Sequence, residues 1–193
     1  MYYDSRGHEI TATDNKAVAS CNAGVESYIR FRADAMGYLD DAIALEEGFV
    51  LPLLMKAWML HSARNAKYAP KIAELVGQIE SNSGEANSRE NDLLAALKFA
   101  FKGHGIEAVT VLEGILNRHP TDLLSHRLAQ FELFWNGRSR WMKDLTETAV
   151  PDWSEEIPGY ATFLACRAFA NEEAGFYEEA ERCGRQSVEL SQR

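Results

Sequence analysis

Gly103-His-Gly-Ile-Glu-Ala108-Val-Thr-Val-Leu112-Glu-Gly-Ile115-Leu-Asn-Arg-His-Pro120 is the stretch from which the fold is read. Ile106, Val109, Leu112, Ile115 and Leu116 recur at i, i+3, i+4 spacing, which predicts an amphipathic helix over 105–118. Gly103 supplies the tight turn before it, and Pro120 stops it. Thr121 is the expected N-cap of the next helix, over 121–136. There Leu124, Leu128, Phe131 and Trp135 form one apolar stripe, which Gly137 closes.

Working outward, a Gly stands five residues before an Ala or Met at four places: Gly37–Ala42, Gly103–Ala108, Gly137–Met142 and Gly175–Ala180. The glycines are 66, 34 and 38 residues apart. A fifth site near residue 70 would complete a period of about 34, the spacing of a helix–turn–helix array. The pattern predicts ten helices in five antiparallel pairs, over 14–32, 35–46, 50–63, 66–81, 87–102, 105–118, 121–136, 138–149, 159–174 and 176–191. No segment alternates as a strand does, so no strand pairing is expected. The polar stretch 80–87 reads as a connector between repeats, and 151–159 as a second break. The fold class is all-α, with residues 1–193 forming a single helical-repeat domain.

Composition narrows the function. With 193 residues and 46 % hydrophobic content, the chain can bury one sizeable core or a short solenoid. Its formal charge of −9 speaks against nucleic acid and anionic membranes as partners. No apolar run is long enough to span a bilayer. Cys21, Cys166 and Cys183 are odd in number and lack metal-ligand spacing, which points to reduced thiols and a cytoplasmic setting. Cys166 and Cys183 are expected to be buried.

The chemistry-bearing residues form no catalytic pattern. His8, His61, His104, His119 and His126 include no zinc-ligand pair, and phosphate loops and nucleophile elbows are absent. Ser125 and His126 are sequence neighbours, which on a helix is the wrong geometry for a nucleophile and its base. The carboxylate pairs read as solvated faces, with Glu172-Glu173 as the exception to watch, because it ends a largely apolar helix. Trp58, Trp135, Trp141 and Trp153 read as inter-helix packing. Arg138, Arg140 and Lys143 make a small basic spot beside Trp141. No catalytic, metal or cofactor site is expected.

The unit around Pro120 resembles a tetratricopeptide repeat, with Gly103, Ala108, Leu112, Ile115 and Pro120 in that repeat's register. Gly175, Tyr177 and Ala180 repeat the start of the pattern. A divergent family, that of animal tetratricopeptide repeat domain protein 38, is resembled more closely over about residues 85–193. The likeness is carried by Arg89-Glu90 with Leu93 and Ala96, by Pro120-Thr-Asp122, and by Pro158-Gly-Tyr160 with 168–181. Residues 1–84 resemble it more loosely. In that family further repeats follow, so the resemblance implies that 1–193 is the N-terminal part of a longer protein. It implies a tetratricopeptide-like superhelix of about five helix pairs, and no particular activity.

In that architecture the first helix of each pair lines a concave groove. For 121–136, the face opposite Leu124, Leu128 and Phe131 carries Asp122, Ser125, His126, Ala129 and Glu132, the candidate groove residues. The Lys, Arg and Asn set with which related repeats clamp a peptide carboxylate is missing, and an acidic groove would prefer a basic or neutral segment. The function read from the sequence is a scaffold that binds a protein or peptide, not an enzyme. The alternatives are a fragment of an enzyme or small-molecule-binding protein whose site is completed beyond residue 193, and a protein that forms a homodimer through its C-terminal end. For the last, Tyr177, Val188 and Leu190 would be the exposed apolar set.

Overall fold

The computed structural model describes residues 2–82, 84 and 86–192. Ser83 and Glu85 of the connector, and Arg193, lie outside the described residues. Ten α-helices are found among the described residues: α1 Asn15–Ile29, α2 Ala35–Leu45, α3 Val50–Ser62, α4 Ala69–Asn82, α5 Ser88–Phe101, α6 Gly105–Arg118, α7 Leu123–Trp135, α8 Ser139–Ala149, α9 Tyr160–Glu173 and α10 Tyr177–Ser191. Each lies within three residues of its expected span. Sequential helices pack against each other, as in α1 with α2, α3 with α4, and α9 with α10.

One expectation is corrected. Tyr2–Tyr3 (β1) and Glu9–Ile10 (β2) pair antiparallel, with Tyr2 opposite Ile10. Two-residue strands are too short to show alternation, and side chains anchor them instead. Asp4 Oδ1 accepts from the amides of Arg6 and His8, each at 2.9 Å, and closes the turn. Arg6 then bonds Glu26 of α1 at 2.5 Å, and Thr11 donates its amide and hydroxyl to Glu90 of α5 at 3.0 and 2.6 Å. Glu90 also completes the capping box with Asn87 at the start of α5.

The hairpin turns follow one rule. A residue with positive φ stands just past the first helix of every pair: Phe31 (56°), Arg64 (48°), Gly103 (85°), Gly137 (65°) and Gly175 (85°). The intervals 31–64, 64–103, 103–137 and 137–175 run 33, 39, 34 and 38 residues. After α7, Arg138 donates to the Leu133 carbonyl (2.8 Å) and Gly137 to that of Phe134 (3.0 Å). The same two bonds recur after α1, from Arg32 to Ser27 and from Phe31 to Tyr28. This is the left-handed helix terminus that satisfies the last carbonyls. Gly37, read as a turn residue, lies inside α2 instead. The close approach of α1 to α2 falls at Gly24, where an added Cβ would sit 2.8 Å from Leu39 Cδ2.

The described residues gather into two compact units, Met1–Val111 and Leu112–Arg193. In the first, α3 is buried on almost every side, through Leu51, Leu53, Leu54, Met55 and Trp58. Packing against α1, α2, α4 and α5 encloses it. The Trp58 indole donates to the Leu93 carbonyl at 3.3 Å, so its one polar atom is satisfied. Ala42 and Ala108, two of the small residues that follow a Gly, are fully buried.

In the second unit α7 packs on α8 and α9, and α10 on α9. Trp153 stacks on Phe163 with centroids 4.5 Å apart. Arg167 of α9 grips Glu147 of α8 through two bonds, at 2.9 and 2.8 Å, and reaches Glu179 of α10 at 2.8 Å. Burial favours the neutral form of Glu147, but the Arg167 guanidinium and Asn171 amide override it and hold this carboxyl below the usual range. Cys183 is fully buried, and so are Cys21 and Cys166. All three are free, and burial pushes each thiol up.

Candidate functional site

The five groove residues expected on α7 lie in the interior, all between 0 and 2 % exposed. Three of them have contacts that explain this. Asp122, not Thr121, is the N-cap: its carboxylate accepts from the Ser125 amide at 3.2 Å and from the Ser125 hydroxyl at 2.8 Å. The Ser125 hydroxyl therefore points to Asp122 and not to a histidine. The Thr146 hydroxyl of α8 donates to the Met142 carbonyl (2.9 Å) and is in hydrogen-bond contact with His126 Nε2 at 3.2 Å. The His126 ring is packed edge-on to Phe163. Burial, with the Arg127 charge beside it, lowers the His126 pKa from 6.5 to about 4. Ala129 is a close-packing position. Glu132 is buried, and its main-chain carbonyl accepts from the Asn136 side chain at the end of α7.

Two further polar residues, Arg127 and Gln130, join this interior. Arg127 donates to Gln130 Oε1 at 2.9 Å and to Cys166 Sγ at 3.4 Å, with its guanidinium 4.8 Å from the Phe131 centroid. Gln130 in turn donates to the Cys166 carbonyl at 2.7 Å. These polar side chains are buried between helices and do not face solvent, and His126 Nδ1 has no hydrogen-bond partner. Elsewhere, Glu172 and Glu173 are exposed. Trp58 and Trp153 are packing residues, whereas Trp135 is 55 % exposed. In the basic spot Lys143 sits 4.6 Å over the Phe176 ring.

An open groove of about 460 Å³ lies elsewhere in the second unit, between the C-terminal half of α6 and the length of α8. Helical periodicity builds both walls. Glu113, Leu116, Asn117 and Pro120 form an i, i+3, i+4, i+7 stripe on and just past α6. On α8, Trp141, Asp144, Leu145 and Thr148 repeat that spacing. Leu116, Leu145 and Ala149 are the more buried, apolar members and make the floor. Asn117, Asp144, Thr148 and Asp152 are exposed and make the rim. At one end the Trp141 indole N–H donates to Glu113 Oε1 at 2.6 Å and ties the walls together.

The charged residues that line the groove are all acidic. Glu113, Asp144 and Asp152 contribute three carboxylates, and among the described residues no Lys, Arg or His forms an ion pair with any of them. Glu26, Glu147 and Glu179, by contrast, each have an Arg within 3 Å. Amphipathic reading of the sequence missed the groove because it sought a polar face on a first helix. The signal that marks it is the repeated stripe on two second helices.

No family model matches the chain, and no solved structure matches it. Among the described residues no helix is long and apolar enough to cross a membrane.

Proposed function

We propose that the chain is a helical-repeat scaffold, of tetratricopeptide type, that binds a protein or peptide segment and performs no chemistry. The single observation that carries this reading is the open groove between α6 and α8, with an apolar floor and a polar rim. The recurrence of a left-handed turn residue every 33 to 39 residues supports the repeat architecture. The sealing of His126 and of all three thiols in the interior supports a binding role over a catalytic one. Three buried, unpaired thiols also fit a reducing, cytoplasmic compartment.

The test is selection of a random peptide library on the full chain, compared with Thr148→Trp. Thr148 is an exposed rim position, so a large side chain there fills the groove without entering the core. Peptides enriched on the unmodified chain should lose at least about 10-fold in affinity on the variant. Enriched peptides that bind both proteins equally would defeat the reading.

A homodimer through α10 is a second reading, favoured by Tyr177 and Val188, which are 70 and 57 % exposed. Leu190 is only half-buried and lies against the 155–161 loop. Sedimentation velocity at two concentrations should show association that Val188→Glu abolishes; a monomer at both concentrations refutes it.

A further inference from the structure

We infer that the α6–α8 groove takes a cationic amphipathic helix, a partner segment with an apolar stripe flanked by Lys or Arg. The inference rests on the reading of this groove as a binding site and adds the chemistry of its occupant. Shape supplies the first part. Two helices present parallel i, i+3, i+4 stripes with a trough between them, the surface into which a third helix lays its ridge. The wall formed by the 11-residue α8 is roughly 16 Å long, enough for about three helical turns. Leu116, Leu145 and Ala149 would meet the apolar stripe of the partner, beside the Trp141 ring.

Charge supplies the second part. Glu113 stands on one wall, Asp144 on the other, and Asp152 beyond the end of α8. None has a cation of this chain against it, whereas elsewhere in the same unit Arg167, Arg182 and Arg185 are engaged with carboxylates. Carboxylates around an apolar floor attract a basic helix, repel an acidic one and give a neutral one no net charge term. Each exposed pair adds modestly to affinity, so the carboxylates act mainly on partner choice and on encounter rate. A Trp at the rim adds a face on which a guanidinium or ammonium group can rest.

The probes are two labelled synthetic peptides of about fourteen residues with one Leu face, identical except that one carries Lys wherever the other carries Glu. Fluorescence anisotropy reads their binding to the full chain, to Thr148→Trp and to Asp144→Lys/Asp152→Lys. Both carboxylates of the last variant are exposed, so it should fold as the parent does, which circular dichroism checks. The Lys peptide should bind at least about 10-fold more tightly than its Glu isomer, and the preference should shrink when salt is raised from about 50 to about 300 mM. The Asp144→Lys/Asp152→Lys variant should reverse the preference. If the peptides bind alike, or the variant keeps the Lys preference, the cationic partner is refuted; the groove reading survives as long as Thr148→Trp still blocks binding. If neither peptide binds while the random library yields groove-dependent sequences that are not basic, the cationic partner falls alone. If the library also yields nothing that depends on the groove, both fall together.

Discussion

Helices α3 and α7 are each enclosed by other helices, and they are built from opposite materials. From Val50 to Leu60 α3 carries a single charge, Lys56, which reaches Asp40 of α2. Between its N-cap and its last turn α7 carries Asp122, Ser125, His126, Arg127, Gln130 and Glu132, all buried. Burial of α3 follows from composition, because nearly every side chain gains by leaving water. Burial of α7 is conditional. It depends on the hydrogen bonds its polar groups make, such as Ser125 to Asp122 and Gln130 to the Cys166 carbonyl, since losing one in the interior costs about 1–3 kcal/mol. The two helices thus depend on different variables: α3 on volume, α7 on hydrogen bonding and protonation.

Acid gives the largest expected difference. The His126 pKa is depressed from 6.5 to about 4, so the folded state favours the neutral ring. Stability from this residue is complete above pH 6.5 and declines as pH falls towards 4, where the folded state also takes up the proton. The loss over that window is on the order of 3 kcal/mol. Denaturant unfolding at several pH values should show this decline, and His126→Gln should remove most of it. The comparison is made mainly above pH 5, where Glu26, Glu147 and Glu179, all held below their ordinary range, stay ionised. An identical pH slope in the variant would mean that the α7 interior is not proton-sensitive, and the contrast with α3 would lose its main support.

Truncating a polar link should come next. Gln130→Leu keeps a similar volume but removes the acceptor of Arg127 and the donor to the Cys166 carbonyl. It should cost about 2 kcal/mol. Met55→Leu, the matching apolar exchange in α3, should cost less than about 1.5 kcal/mol, because volume-conserving swaps are tolerated. Equal costs at the two sites would show that α7 is packed like α3 and that its hydrogen bonds are incidental.

These two helices also mark what the sequence made legible. Helix count and boundaries came through, because apolar periodicity and Gly or Pro punctuation act locally, residue by residue. The choice of groove face did not. Asp122, Ser125, His126 and Glu132 look solvent-facing in the α7 pattern, and only three-dimensional partners such as Thr146 and Asp122 itself make their burial affordable. The groove was half-visible. Its stripes on α6 and α8 are periodic, but their facing depends on packing that no single helix encodes. The hairpin of residues 2–10 stayed hidden because long-range side-chain bonds to Glu26 and Glu90 hold it, not strand alternation.

The turns offer the finest comparison between the two regions. Phe31 and Arg64 adopt the left-handed conformation that Gly103 adopts in the same unit and Gly137 and Gly175 in the second. For an L-residue that conformation costs roughly 1–2 kcal/mol, which glycine avoids. Gly137→Val should therefore destabilise by about 1–2 kcal/mol, through strain alone, since an added Cβ meets nothing within 4 Å. Phe31→Gly should move the other way by a smaller amount. It relieves the strain, but it also gives the unfolded chain more freedom, and the two terms leave a gain of about 0.5 kcal/mol. Phe31 is 69 % exposed, so little apolar burial is lost. Phe31→Asn should fall between, because Asn tolerates this region better than Phe does. Thermal unfolding of the three variants gives the order: Phe31→Gly at or above the parent, Phe31→Asn near it, Gly137→Val below. If Phe31→Gly instead loses more than about 1 kcal/mol, the ring of Phe31 holds the first turn together by its contacts. The α1–α2 turn would then be closed by a side chain where the α7–α8 turn is closed by backbone alone, and the shared geometry would have two different causes.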